Sequence, residues 1–134
     1  MSDQVTSTAP RHIRTRYMRG GCWAMAHELS KKTGMDLWGL RDDRGDLHHV
    51  YVADPERGIA IDIRGGMPME KIAEGCQAQI AGPASLDEIL RHIGSFEPAE
   101  LREARKVIQA HLSGLPKASA RQRVDTLPND GPEP

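Results

Sequence analysis

The chain has 134 residues, of which 38% are hydrophobic and 28% charged, with a formal net charge of -1 and two cysteines. That length suits one compact domain, and two thiols cannot build a disulfide scaffold or, unaided, a structural zinc site. Near-neutral charge with only two Trp, two Tyr and one Phe argues against a nucleic-acid module, and no apolar run approaches the ~18 residues of a membrane span.

Residues 1–10 (MSDQVTSTAP) are small and polar and read as a disordered N-terminus, with the folded domain expected over 11–115. No apolar signal stretch occupies the first twenty residues, so the expected compartment is a reducing cytoplasm. Arg11 to Arg19 carries four arginines and reads as an edge strand or extended arm leading into Gly20-Gly21. It is either a solvated connection or a local patch for an anionic ligand.

From Cys22 the apolar residues Cys22, Met25, Ala26 and Leu29 recur at i, i+3, i+4 and i+7, the spacing of a helix with one buried face. Lys31, Lys32 and Gly34 supply its C-terminal stop. Leu37 to Leu40 is an apolar run of strand length, followed by the turn-rich Arg41 to Asp46. Two further runs, His49-Val-Tyr-Val and Ile59-Ala-Ile-Asp62, flank a segment with Pro55 and Gly58 and predict a β-hairpin. With Asp54 to Arg57 as the loop, Val52 faces Ile59, Val50 faces Ile61, and His49 faces Asp62.

Farther on, Pro68 to Ala73 predicts a helical turn and Cys76 to Ile80 alternates as a strand does. Ser85 with Glu88 forms a capping box for a short helix through Leu86, Ile89, Leu90 and Ile93, ended by Gly94. Pro98 opens a second helix whose buried face is Leu101, Ala104, Val107, Ile108 and Leu112. Residues 116–134 are Pro-rich, poor in large apolar side chains, and expected to be disordered.

Cys22 carries the chemical interest. At a helix start behind two glycines, the dipole and free amides favour a thiolate, and the Cys22 N–H is available to a developing oxyanion. A thiol nucleophile needs a base, and that base needs an orienting group; His49 and its cross-strand neighbour Asp62 meet this description. His48 points to the opposite face, so one histidine serves, and the register selects His49. Cys76 reads as a packing residue. Cys22, His27, His48, His49, Cys76 and His92 lack ligand spacing, so neither a metal nor any other cofactor is expected.

Gly21-Cys22-Trp23-Ala24-Met25 resembles the nucleophile segment of papain-like cysteine enzymes. The succession Cys22, His49, Asp62 on helix and hairpin resembles transglutaminase-like and bacterial papain-like domains. The likeness covers roughly residues 20–66. At the position six residues before the cysteine, where papains carry an oxyanion glutamine, this chain has Arg16. The resemblance implies an α+β papain-like/transglutaminase-like fold: a central helix bearing Cys22 on a small antiparallel sheet, with C-terminal helices. It implies a thiol-dependent hydrolase or acyl transferase, a peptidase or side-chain deamidase acting on an amide of a protein or peptide substrate through Cys22, His49 and Asp62. Gly21 and Tyr17 are candidate oxyanion and substrate contacts, and Trp23 is a candidate shield for the thiol. The alternative is a non-catalytic binding or inhibitor protein from a mobile element or effector set, using the same scaffold.

Overall fold

A computed structural model describes residues 5–117. Its elements in chain order are β1 (Thr6–Ser7), α1 (Arg11–Met18), α2 (Cys22–Thr33), β2 (Asp36–Arg41), β3 (Leu47–Asp54), β4 (Ile59–Asp62), β5 (Gly65–Pro68), a 3-10 turn at Met69–Lys71, β6 (Ile80–Pro83), α3 (Leu86–Ile93), α4 (Pro98–His111) and β7 (Leu112–Ser113). Strands β5-β4-β3-β2-β6 form one antiparallel sheet, and β1 pairs with β7. The architecture is α+β, with four helices and a small antiparallel sheet.

The helix beginning at Cys22 forms as its spacing predicts. Cys22, Met25, Ala26 and Leu29 are buried, and Gly34, at φ 79°, closes the helix by donating to Ser30 O. A left-handed closing residue is a position where a Cβ is costly, which is why glycine suits it. This face packs on one side of the sheet, with Met25 and Leu29 joining Val52, Ile61 and Ile63, and α4 adding Ala104, Val107 and Ile108. On α2, Glu28 is almost fully buried, between His27 at 2.9 Å and Arg105 of α4 at 3.1 Å. A buried carboxylate held this way ties the two helices in one register, because leaving it unpaired would be costly.

Several boundaries differ from the sequence reading. Arg11 to Met18 is a helix rather than a strand or arm: its Arg14 N–H donates to Pro10 O, and Tyr17 is drawn into the core. Residues 5–10 are not disordered. Val5 and Ala9 are buried, Thr6–Ser7 pairs with Leu112–Ser113, and the Gly66 amide donates to Val5 O. Cys76 to Gln79 does not form a strand; its turns are held by Cys76 N–H on Ala73 O and by the Gln79 amide on Ala73 O and Cys76 O. The strand starts at Ile80. Residues 1–4 and 118–134 lie outside the described residues, and with them most of the 116–134 tail.

The hairpin has the predicted strands in a different register. Asp54 pairs with Ile59, Ala53 with Ala60 and Val52 with Ile61, a displacement of two residues from the expected alignment. The turn explains it. Asp54 O accepts from the Gly58 amide at 2.9 Å, the Asp54 carboxylate accepts from the Glu56 amide at 3.1 Å, and Gly58 sits at φ 69°. Asp54 is therefore the residue before the turn, and the loop is 55–58. A two-residue slip preserves which side chains share a face, so His49 and Asp62 remain on one face while losing their direct opposition.

Candidate active site

His49 and Asp62 meet diagonally. Among the described residues β3 and β4 pair no farther than Val52 with Ile61, and beyond that pair His49 Nε2 lies 2.8 Å from Asp62 Oδ2. His49 is 3% exposed and Asp62 1%. A third residue completes the arrangement: the Arg64 guanidinium donates to both Asp62 oxygens, at 2.8 Å from Nη2 to Oδ2 and 3.2 Å from Nε to Oδ1. Its remaining donors go to Glu74 O and Ile72 O, both at about 3 Å, pinning the 72–76 segment against the sheet. Burial alone would raise the Asp62 carboxyl, but the hydrogen bonds from His49 and Arg64 outweigh it and hold Asp62 below the usual carboxylate range.

Because Nε2 is committed to Asp62, Nδ1 is the ring atom left for chemistry. It is buried and has no hydrogen-bond partner among the described residues. Tyr51 Oη is in the same condition, and the Tyr51 ring stacks on His49 at 6.0 Å between centroids. Burial, with the nearby Asp62 charge, pushes the Tyr51 hydroxyl up to about 12. Two unsatisfied polar atoms side by side on one face are uncommon in a folded interior.

Position 48 decides how the site is assembled. Leu40 pairs with His49 but Arg41 pairs with Leu47, so His48 is an extra residue, a β-bulge. The bulge turns His48 outward to Asp42 at 2.8 Å and places Leu47 and Val50 together on the α2 face. His49 goes to the other face with Tyr51. The expectation that α2 packs on the face carrying His49 is therefore not met: Cys22 packs with Ala26, Leu47, Val50 and Ile89.

Cys22 is 1% exposed. Burial pushes its thiol from 9.0 up to about 11; hydrogen bonds from the backbone of Val50 and of Cys22 itself oppose this, and the Asp62 charge adds to it. The expected low-pKa thiolate is thus reversed, because desolvation exceeds what one helix terminus supplies. The Cys22 N–H, expected to be free, donates to Arg19 O at 3.3 Å. Tyr17, expected near an oxyanion, is a core residue whose ring lies against Gly21: a Cβ there would meet Tyr17 Cδ1 at 2.9 Å. Gly21 is required by that close approach. Trp23 is half-buried, stacks on His92 at 5.6 Å between centroids, and packs against the cluster that holds Cys22.

Cys76 packs, as expected, against the cluster of Leu40, Tyr51, Ala60 and Ile72, and it has a second place as well. It is half-buried and lines a cavity of about 730 Å3 that His49, His48 and Arg64 also line. Cys22 is absent from that lining. Burial raises the Cys76 thiol, with Arg64 opposing. Arg64 and Tyr51 are the site residues that sequence reasoning missed. The signal for Arg64 was its i+2 spacing from Asp62, which in extended chain puts both side chains on one face. Among the described residues no three His, Cys, Asp or Glu side chains converge as metal ligands would, and no helix is long and apolar enough to cross a membrane.

Comparison with protein-family models, with curated proteins and with solved structures finds no match for this chain.

Proposed function

We propose that the protein performs thiol-dependent acyl chemistry on an amide of a protein or peptide, as a hydrolase or acyl transferase. One observation carries the reading: a fully buried histidine oriented by a carboxylate, with its second ring nitrogen unpartnered. Burying such a pair is costly unless the free nitrogen has a use.

In the proposed cycle the thiol is Cys76, which shares the cavity with His49. Its sulfur attacks the amide carbonyl carbon while its proton passes to His49 Nδ1. Asp62 holds the ring and stabilises the imidazolium, and Arg64 holds Asp62. The carbon–nitrogen bond then breaks, the Nδ1 proton leaves with the amine, and a thioester remains on Cys76. Water or a second amine attacks the thioester, giving its proton to Nδ1 and then to sulfur. Burial raises the Cys76 thiol, so it is neutral at rest. It therefore depends on His49 as a general base rather than on a standing thiolate.

The thiol expected from the sequence, Cys22, packs on the α2 face and does not line this cavity. The test is covalent capture. Protein incubated with lysate and quenched in acid is digested, and hydroxylamine-sensitive acyl increments are located by mass. An increment on the peptide bearing Cys76, lost in Cys76→Ala, is expected. An increment on Cys22 alone transfers the role to that residue. Absence of any acyl adduct, with a binding partner retained by Cys76→Ala protein, replaces the enzyme with a binding protein on the same scaffold.

A further inference from the structure

One face of α1 carries arginines into a cavity, with Met18 alone of that row packing against the core. Arg11, Arg14, Thr15 and Met18, spaced i, i+3, i+4 and i+7, line the cavity together with Arg19 just past the helix end. Glu74 to Ala78, His48, His49 and Arg64 complete the lining. From Arg11 to Arg19 there is no acidic residue, in a chain whose net charge is -1. The cluster is therefore local and does not follow from a generally basic surface.

The donors differ in what they have left to offer. Arg64 is fully engaged with Asp62, Ile72 O and Glu74 O, and its charge is matched by Asp62. Arg14 uses one nitrogen on Ala9 O. The Arg11 and Arg19 guanidinium groups have no hydrogen bond or ion pair among the described residues. The one acidic residue in the lining, Glu74, is paired with Lys71 at 3.8 Å. The same cavity is lined by His49, whose buried Nδ1 has no partner among the described residues.

We propose that this cavity is the recognition site for an acidic peptide segment, with Arg11, Arg14 and Arg19 binding side-chain carboxylates next to the amide presented to His49. The assignment rests on the acyl-transfer reading and gives it a substrate class. Guanidinium groups suit carboxylates because they donate in pairs along a planar edge, and a recessed wall reduces the competition from water. A single-stranded nucleic acid fits less well. No Trp, Tyr or Phe lines the cavity, so bases would have no stacking platform.

Binding is measured on protein carrying Cys22→Ala and Cys76→Ala, which has no thiol and cannot turn over, using a fluorescein-labelled peptide rich in glutamate, its glutamine counterpart, and an oligothymidylate of similar length. The expected result is that the glutamate peptide binds at least tenfold tighter than the glutamine peptide, and that Arg11→Ala with Arg19→Ala weakens it roughly tenfold. Both side chains are exposed, so an unchanged melting temperature shows that the double variant is folded. Equal affinity for the glutamate and glutamine peptides, no effect of the double variant, or preferential binding of oligothymidylate overturns the assignment. Failure of the catalytic reading looks different: the glutamate peptide binds through the arginines while no acyl adduct forms on any thiol of the wild-type protein. Adducts formed equally from neutral and acidic peptides leave the chemistry standing and remove the acidic specificity.

Discussion

The two faces of the central sheet are built on different principles. Toward α2 and α4 the sheet presents Val50, Val52, Ile61 and Ile63, a dry surface that buries Cys22 as one more small apolar group. Toward the 72–78 segment it presents His49, Tyr51 and Asp62, joined by Arg64, with two polar atoms lacking partners. The first face is a core that stabilises. The second retains charge and unmet hydrogen-bonding capacity, which is where a fold that violates its own packing rules is expected to do its work. The bulge at His48 divides them, sending consecutive strand residues to opposite roles.

Removing Asp62 breaks the polar face hardest. Asp62→Ala leaves His49 buried without its acceptor and the half-buried Arg64 without its counter-charge and should cost about 3–5 kcal/mol, read by chemical denaturation, whereas Asp62→Asn should keep part of the network and lose less. On the dry face, Leu29→Ala should cost about 2–5 kcal/mol through a cavity, with no change in the reactivity of either thiol. Similar stability losses with different effects on reactivity would confirm that the faces serve different ends.

The pH response separates the faces again. Cys22 has its thiol raised to about 11 in the folded protein, against about 8.5 in an unfolded chain, so the folded state loses up to about 3 kcal/mol as pH rises from 8.5 through 11. Cys22→Ala should flatten that alkaline limb in pH-dependent unfolding. Asp62 acts in the other direction. Its folded pKa lies below the unfolded value near 4, so its contribution is complete above that pH and is lost as the pH falls through the lower folded value. At pH 7.5, iodoacetamide should label the half-buried Cys76 faster than Cys22, as judged by mass of the two peptides. A smaller effect belongs to α3, where the Ser85 hydroxyl accepts from the Glu88 amide at 3.0 Å: Ser85→Ala should cost about 1 kcal/mol and touch neither face.

What could be read from the sequence followed what local spacing encodes. The helix from Cys22 to Gly34 and the Ser85 cap are local patterns, and both are present. The hairpin shows the limit of such reading. Alternation fixes which residues share a face, so His49 and Asp62 were legible as neighbours, but alternation repeats every two residues and cannot fix register. The hydrogen bonds of Asp54 in the turn chose it. Arg11 to Met18 was misread because its arginines conceal Ile13, Tyr17 and Met18, whose burial comes from packing with distant chain. Cys76 to Gln79 alternates correctly for a strand yet is held in turns by the Gln79 side chain on nearby carbonyls, with Arg64 bonding the segment just before it, side-chain contacts that alternation does not encode. The reversal of the thiol had the same origin: the helix start was visible in sequence, and the completeness of its burial was not.

The central claim is that His49, oriented by Asp62, activates the thiol that shares its cavity, Cys76. The direct measurement is the rate at which a peptide vinyl sulfone modifies each thiol, followed by mass across pH 5 to 10 in wild-type and His49→Gln protein. Selective modification of Cys76 at neutral pH is expected, slowed at least a hundredfold by His49→Gln, with Cys22 modified at the same slow rate in both proteins. Modification of Cys76 that is independent of His49, or modification confined to Cys22, would contradict it.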